Sequence, residues 1–195
     1  MQEASLGLVR IPGGGQGFRS TAAAGSPSHA YNAQTMISTS AFRDVLRHFA
    51  SGVTLVTARD GERVYGLTVS AFSSLSADPP LIAVVIDQRS SIHQALAQEG
   101  AGFAVNILAE DHRELSDRFA FVPDADRFAE GVWGATEDGI PVLEDALAWL
   151  ACTVEASHPV GSHVLYIGRV RASHTPRAEH PPLVYWNREY RKLGG

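Results

Sequence analysis

The chain has 195 residues, 45% hydrophobic and 19% charged, which suits one globular domain with a buried core. A net charge of −5 excludes the basic face typical of nucleic-acid-binding proteins, and no apolar run approaches the roughly 20 residues of a membrane-spanning helix. With no recognisable secretory signal and a single cysteine, Cys152, we expect a cytoplasmic protein without an internal disulfide or a thiolate metal cluster.

Residues 1–36 differ in composition from the rest of the chain. They show neither helical nor strand periodicity and include the run Pro12-Gly13-Gly14-Gly15-Gln16-Gly17. This run lacks the G-x-G-x-x-G spacing and the preceding strand of a dinucleotide-binding fingerprint. We predict a disordered extension over 1–36, or an arm that orders only on a partner chain, followed by one domain over 37–195.

The first half of this domain contains one helical and several strand patterns. Apolar residues at helical spacing predict a short helix that Thr39 or Ser40 caps: Phe42, Val45, Leu46 and Phe49. The β-rich segment 53–58 and its return strand 64–72 flank Asp60-Gly61, a hairpin signal. A loop is predicted over 73–80, where Asp78-Pro79-Pro80 stiffens the chain.

The second half is also rich in strands. Buried strands are predicted over 81–86 and 103–108, and short helices over 91–98 and 111–118. Strands over 149–157 and 163–173 and an edge strand over 182–186 complete the pattern. Many strands, few short helices and no regular β–α alternation predict a mainly β fold, a closed antiparallel barrel with helical connections.

The first candidate site is the segment from Gly66 to Ser76. Thr68, Ser70 and Phe72 share one face of the predicted strand, so two hydroxyl groups point the same way before a serine-rich loop. A flat heterocycle with donors and acceptors on its rim could bind to these hydroxyls and to the backbone. A solvated strand face explains the same pattern.

The second candidate site is Gln88-Arg89-Ser90-Ser91, between a buried strand and a helix. Helix N-termini attract anions, and an arginine with two serines suits a phosphate monoester. The alternative is a serine N-cap beside a surface arginine. The glycines and the lysine of a Walker loop are missing.

The third candidate is His163 in Gly161-Ser162-His163, at the start of a strand, where an imidazole could supply charge near neutral pH. A structural or solvated histidine is the alternative. The other seven histidines show no metal-ligand spacing, so we expect no metal site.

The order of the motifs is more specific than any one of them. The chain contains, in sequence, Gly66-Leu67-Thr68-Val69-Ser70-Ala71-Phe72, Ser76-Ala77-Asp78-Pro79-Pro80-Leu81, Arg89-Ser90-Ser91, Phe103-Ala104-Val105-Asn106-Ile107-Leu108, Asp126-Arg127-Phe128, Gly161-Ser162-His163 and Pro182-Leu183-Val184-Tyr185. This series resembles the flavin reductase-like family from about Ser40 to Leu193. Members of that family supply reduced flavin to separate monooxygenases.

The resemblance implies an FMN-binding split β-barrel, a homodimer with flavin near the subunit interface, and FMN or FAD with NADH or NADPH. By position, Thr68, Val69, Ser70 and Ala71 would line the isoalloxazine, with Ser76 nearby. Arg89, Ser90 and Ser91 would hold the phosphate, Asn106 would meet the ribityl chain or ring edge, and His163 would lie where the nicotinamide stacks.

The chain departs from the family in one motif, because many relatives have Gly-Asp-His where this chain has Gly161-Ser162-His163. The expected activity is NAD(P)H-dependent reduction of free flavin for a monooxygenase partner. Two alternatives stay open: the same barrel with a resident FMN that acts on a small substrate, and a non-catalytic flavin-binding module. Acidic balance and missing aromatic–basic interleaving argue against an oligonucleotide-binding barrel.

Overall fold

The computed structural model describes residues 36–193, so nearly all of the predicted N-terminal extension lies outside the described residues. From Ser38 onward the chain forms one compact unit. Its helices are α1 (Thr39–Leu46), α2 (His93–Leu96), α3 (Arg113–Phe121) and a 3-10 helix over Asp124–Ala129. Its strands are β1 (Ser51–Gly52), β2 (Thr54–Asp60), β3 (Arg63–Val69), β4 (Phe72–Ala77), β5 (Pro80–Asp87), β6 (Gly102–Ile107), β7 (Trp133–Ala135), β8 (Pro141–Leu143), β9 (Ala148–Val160), β10 (His163–His174), β11 (Val184–Trp186) and β12 (Glu189–Arg191).

A seven-stranded antiparallel sheet with the order β3-β2-β6-β9-β10-β5-β4 dominates the fold. Strands β3 and β4 lie at its opposite ends, yet only Ser70 and Ala71 separate them in the chain. Such a short link joins the two ends only if the sheet curls into a barrel. The Val85 N–H donates to the Ala71 carbonyl at 3.0 Å and ties the link to β5. The predicted mainly β barrel with short helices is therefore confirmed.

The predicted hairpin forms between β2 and β3. Its turn contains Gly61 with a positive φ of 58°, a conformation that glycine adopts without a steric penalty. At α1, the cap is Ser38 rather than Thr39 or Ser40, because the Ser38 side chain accepts from the Ala41 N–H at 3.2 Å.

Two main groups of buried side chains stabilise the barrel. One fills its interior and includes Val56, Val84, Phe103 and Cys152. The other lies between β2 and α3 and includes Leu55, Leu115, Phe119 and Leu183. Residues 54–58 of β2 are buried without a break, so this strand contributes to both groups.

The structure corrects several predicted boundaries. The predicted loop over 73–80 is largely strand β4, which pairs with β5, and the predicted return strand ends at Val69 because the chain crosses there to the other end of the sheet. The short strands β1, β7, β8 and β12 lack a periodic pattern long enough to predict. Among the described residues, no helix has the length and apolar character needed to span a membrane.

Candidate functional site

Two neighbouring grooves meet at the end of β3. The strand-end groove, of about 430 Å³, is lined by 67–71 of β3 and the link, 85–87 of β5, Val160 and His163. The loop groove, of about 450 Å³, is lined by Leu67, Thr68, Asp87, Arg89, Ser90, Phe119, Ala120 and Arg127. Because Leu67, Thr68 and Asp87 line both, the two grooves form one continuous depression.

The wall of the strand-end groove is the free side of an edge strand. Strand β3 pairs only with β2 in the described sheet, so its other side offers backbone N–H and C=O groups, apart from the Gly66 carbonyl, which accepts from Arg127. The Thr68 hydroxyl donates to the Ser116 carbonyl at 2.6 Å, which leaves its lone pairs to accept from a ligand. Ser70 and Ala71 are exposed. This wall suits the polar rim of a flat ring.

Asp87 and Arg89 form a compact ion pair at the end of β5. The Asp87 carboxylate accepts from the Arg89 backbone N–H at 2.9 Å, from its Nε at 3.0 Å and from its Nη2 at 2.7 Å. The hydrogen bonds from the Arg89 side chain and backbone hold the pKa of Asp87 well below its usual value. The Arg89 side chain is 90% exposed, so it can turn toward a ligand in the loop groove.

The two serines after Arg89 lie in different environments. Ser90 lines the loop groove, whereas the Ser91 hydroxyl donates to the Asp124 carboxylate. The predicted helix over 91–98 shortens to α2, a single turn that begins at His93, so its N-terminus is no basis for anion binding. The cation of Arg89 and the hydroxyl of Ser90 remain as anion-binding groups, whereas Arg127 is paired with Asp124 and donates to the Gly66 carbonyl at 2.6 Å.

His163 is half-buried at the start of β10 and lines the strand-end groove. Its Nδ1 lies 2.9 Å from the Ser162 hydroxyl oxygen, so Ser162 orients the ring by a hydrogen bond. His163 also lies directly opposite Asp87 in the β10–β5 pair. A carboxylate thus faces this histidine from a neighbouring strand, although the turn carries serine.

The structure places two predicted site residues away from both grooves. Asn106 is completely buried; its Nδ2 donates to the Leu55 carbonyl at 3.1 Å, and its Oδ1 accepts from the Leu143 N–H at 2.8 Å. This amide joins core strands, so the expected contact with a ribityl chain or ring edge has no support. Ser76 lies within β4, opposite Leu81 of β5, and does not line either groove.

Asp87, Arg127 and Val160 line the grooves but were not predicted from the sequence. Asp87 was recognisable in principle, since it ends a buried apolar run just before Arg89. Arg127 and Val160 reach the grooves only through the folding of distant segments. Within residues 36–193, no three histidine, cysteine, aspartate or glutamate side chains are placed to hold a metal ion.

Comparison with known proteins agrees with the resemblance seen in the sequence motifs. The model of the flavin reductase like domain matches residues 46–194. The chain is 41% identical over 157 residues to the NADH-dependent flavin reductase of a Rhodococcus species, covering 77% of this chain and 84% of that protein. It is 42% identical over 154 residues to the reductase component of 4-hydroxyphenylacetate 3-monooxygenase from Thermus thermophilus, covering 78% and 95%.

A solved structure agrees with these relatives. The NADH:FAD oxidoreductase of Streptomyces globisporus, in complex with NAD and FAD fragments, superposes with a TM-score of 0.73 at 27% identity, covering 78% of this chain and 91% of that one. The fold and the family match together define an enzyme of the NAD(P)H:flavin oxidoreductase class. The chain belongs to the flavin reductase-like family.

Proposed function

We propose that this enzyme oxidises NADH, reduces free FMN or FAD, and releases the reduced flavin to a separate monooxygenase. The observation that carries the proposal is the continuity of the two grooves through Leu67, Thr68 and Asp87. An edge strand suited to a ring and an arginine suited to a phosphate lie side by side, as a flavin nucleotide requires.

The hydrogen-bonding groups that line the two grooves fit such a flavin. The free side of β3 offers backbone groups to the ring edge, with Thr68 and Ser70 adding hydroxyl groups. Arg89 and Ser90 offer a charge-assisted hydrogen bond and a hydroxyl to the phosphate. We assign Ser91 the role of orienting this segment, through its hydrogen bond to Asp124, rather than that of binding the phosphate.

The two nucleotides supply the redox chemistry, a hydride passing from the nicotinamide to the flavin ring. The protein has to hold the two rings in contact and exclude water. His163 lines the strand-end groove from the β10 side, where its imidazole orients the nicotinamide nucleotide. Val69 and Ala71 provide apolar contacts on the opposite wall.

Both grooves are open to solvent. Such a site binds flavin by reversible contacts, which suits a flavin that arrives and leaves as a substrate. Cys152 is buried in the barrel interior, and burial raises the pKa of its thiol to about 12, so it does not tether flavin. A single, buried thiol also fits the reducing cytosol, where we place the enzyme.

The enzyme acts as a homodimer with flavin near the subunit interface. The apolar face of α1 and the turn after it supports this assignment, because Phe42, Val45 and Leu46 of the helix and Phe49 of the turn are all at least half exposed. A further groove runs from Leu46 and Phe49 to Ser70 and Ala71, so this apolar face adjoins the proposed flavin site. A second copy covering the face would enclose the flavin.

The test is steady-state oxidation of NADH and NADPH by the dialysed protein, with FMN, FAD or no flavin added. We expect turnover in air only with added flavin, and a rate that saturates at flavin concentrations well above the enzyme concentration. Because the Rhodococcus relative is NADH-dependent, we expect faster turnover with NADH than with NADPH. Dialysed protein that stays loaded with flavin and turns over without a supplement would instead be a resident-flavin oxidoreductase. Protein that binds flavin but oxidises neither nucleotide would be a binding module.

A further inference from the structure

Asp87 occupies a position that flavin and nicotinamide binding alone does not explain. Asp87 lines both grooves, where its carboxylate would repel an anionic ligand. It is fully engaged by Arg89 through three hydrogen bonds, and it lies opposite His163 on the neighbouring strand. Directly opposed residues of an antiparallel pair have Cβ atoms about 5 Å apart, close enough for their side chains to interact.

A contact with His93 holds the backbone of Asp87 in place. Its carbonyl lies 2.8 Å from Nε2 of His93, whose Nδ1 lies 2.7 Å from the hydroxyl of buried Tyr166. These contacts hold the backbone in place while the carboxylate, about one-third exposed, can change partners. Arg89 is far more exposed and can leave the pair without disturbing the core.

We propose that Asp87 is a positioning residue that exchanges partners. In the free enzyme it pairs with Arg89, and when a flavin phosphate binds Arg89 it pairs with His163 instead. This inference rests on the proposed function. A phosphate carries more negative charge than a carboxylate and offers three acceptor oxygens, so it competes well for the guanidinium. The released carboxylate then stabilises the protonated form of His163, which attracts the phosphates of the nicotinamide nucleotide.

The exchange couples the two substrates. Flavin that carries a phosphate prepares His163 for the nucleotide, whereas riboflavin leaves Asp87 paired with Arg89. The charged or titratable groups near His163 are Asp87 on β5, Arg89 in the following loop, His158 on β9 and His93 on α2. Of these, Asp87 is the carboxylate that lines the same groove. Ser162 contributes a hydroxyl but no charge.

The experiment compares FMN with riboflavin as the electron acceptor. The rate of flavin reduction at limiting NADH is measured by stopped flow from pH 5.5 to 9. In the wild-type enzyme we expect the pH at half-maximal rate to lie about one unit higher with FMN, the shift that an opposite charge at close range produces. In Asp87→Asn the difference between the two flavins should fall to the smaller shift that the phosphate charge alone produces. FMN binding should tighten about two- to fivefold, because an exposed ion pair no longer competes for Arg89.

The double variant Asp87→Asn/Ser162→Asp provides a rescue, since it returns a carboxylate to His163 from the turn. It should raise the midpoint with both flavins alike. The control is Asp138→Asn, which breaks an exposed pair with Arg171 outside the two grooves and should keep the wild-type difference. Equal midpoints in the wild-type enzyme, or a difference of undiminished size in Asp87→Asn, would overturn the exchange. A wild-type enzyme that reduces neither flavin would instead contradict the proposed function.

Discussion

At the scale of single residues, the ion pair of Arg89 determines how the phosphate can be held. We expect Arg89→Ala to weaken FMN binding about 10- to 100-fold, the value of one charge-assisted hydrogen bond, and to change riboflavin binding little. Fluorescence titration with both ligands measures this difference. Equal losses for the two flavins would show that Arg89 does not contact the phosphate.

His163 should affect hydride transfer from the nicotinamide nucleotide more than it affects the binding of oxidised flavin. We expect His163→Ala to lower the limiting rate of flavin reduction more than the affinity for oxidised flavin, since the side chain orients the hydride donor. Stopped-flow reduction at saturating NADH gives this rate. Ser162→Ala is the matched variant, because it removes only the hydroxyl at 2.9 Å and should give a smaller effect in the same direction. An unchanged limiting rate in His163→Ala would assign the residue a structural role.

At the scale of elements, α1 presents an apolar face without a covering element among the described residues. Val45 of the helix is 66% exposed and Phe49, in the turn just after it, 76% exposed, far above the exposure of a core side chain. We expect Val45→Glu to shift the protein from dimer to monomer, because a charge buried in an apolar interface is costly. Analytical ultracentrifugation measures the mass.

The control for this variant is Ser40→Glu, on the opposite side of the helix, which should leave the dimer intact. Wild-type protein that sediments at the mass of one chain would contradict the proposed dimer. In that case the apolar face of α1 would not be a subunit interface.

A second element-scale prediction concerns the ion pair that joins the turn before α3 to the segment after β10. The Arg177 side chain donates to the Asp111 carboxylate at 2.7 and 3.0 Å, and these bonds lower the pKa of Asp111. A lowered pKa stabilises the fold above the ordinary aspartate value near 4, and this stability is lost as the pH falls through the folded-state value.

The Asp111 side chain is more than half exposed, so solvent screens the pair, and we expect Asp111→Asn to lower the free energy of unfolding by only about 0.5 kcal/mol at pH 7. The difference from wild type should shrink as the pH falls toward 2, because protonation of Asp111 removes the charge that pairs with Arg177. Urea unfolding at both pH values measures it. An effect of equal size at both pH values would show that the ionised form of Asp111 does not carry this stability.

At the scale of the whole molecule, the barrel and its grooves are built from residues after Ser38. We expect removal of residues 1–36 to leave the melting temperature within about 2 °C and the flavin affinity unchanged, since that segment has little apolar area to bury. Differential scanning calorimetry and a flavin titration measure the two quantities. A large drop in melting temperature would show that the segment packs on the barrel or on a partner chain.

The sequence alone predicted the barrel strands best where one strand face or both are apolar. Segments 53–58, 81–86 and 103–108 were found within a few residues, because burial requires apolar runs that are visible locally. The hairpin at Asp60-Gly61 was predicted because its turn needs a residue with positive φ. The resemblance to the flavin reductase-like family, confirmed by the family match, rests on the order of such local motifs.

Only the tertiary structure decided what each motif faces. The polar segment 73–77 reads as a loop but becomes strand β4, because its backbone pairs with the edge of β5. Asn106 lies in a motif of the family, yet its amide turns into the core to join three segments. Asp87 meets His163 through the register of two strands far apart in the chain. The spacing of apolar residues and the residue types of turns are local properties that can be read from the sequence. The pairing partner of a strand and the direction of a side chain depend on residues that only folding brings together.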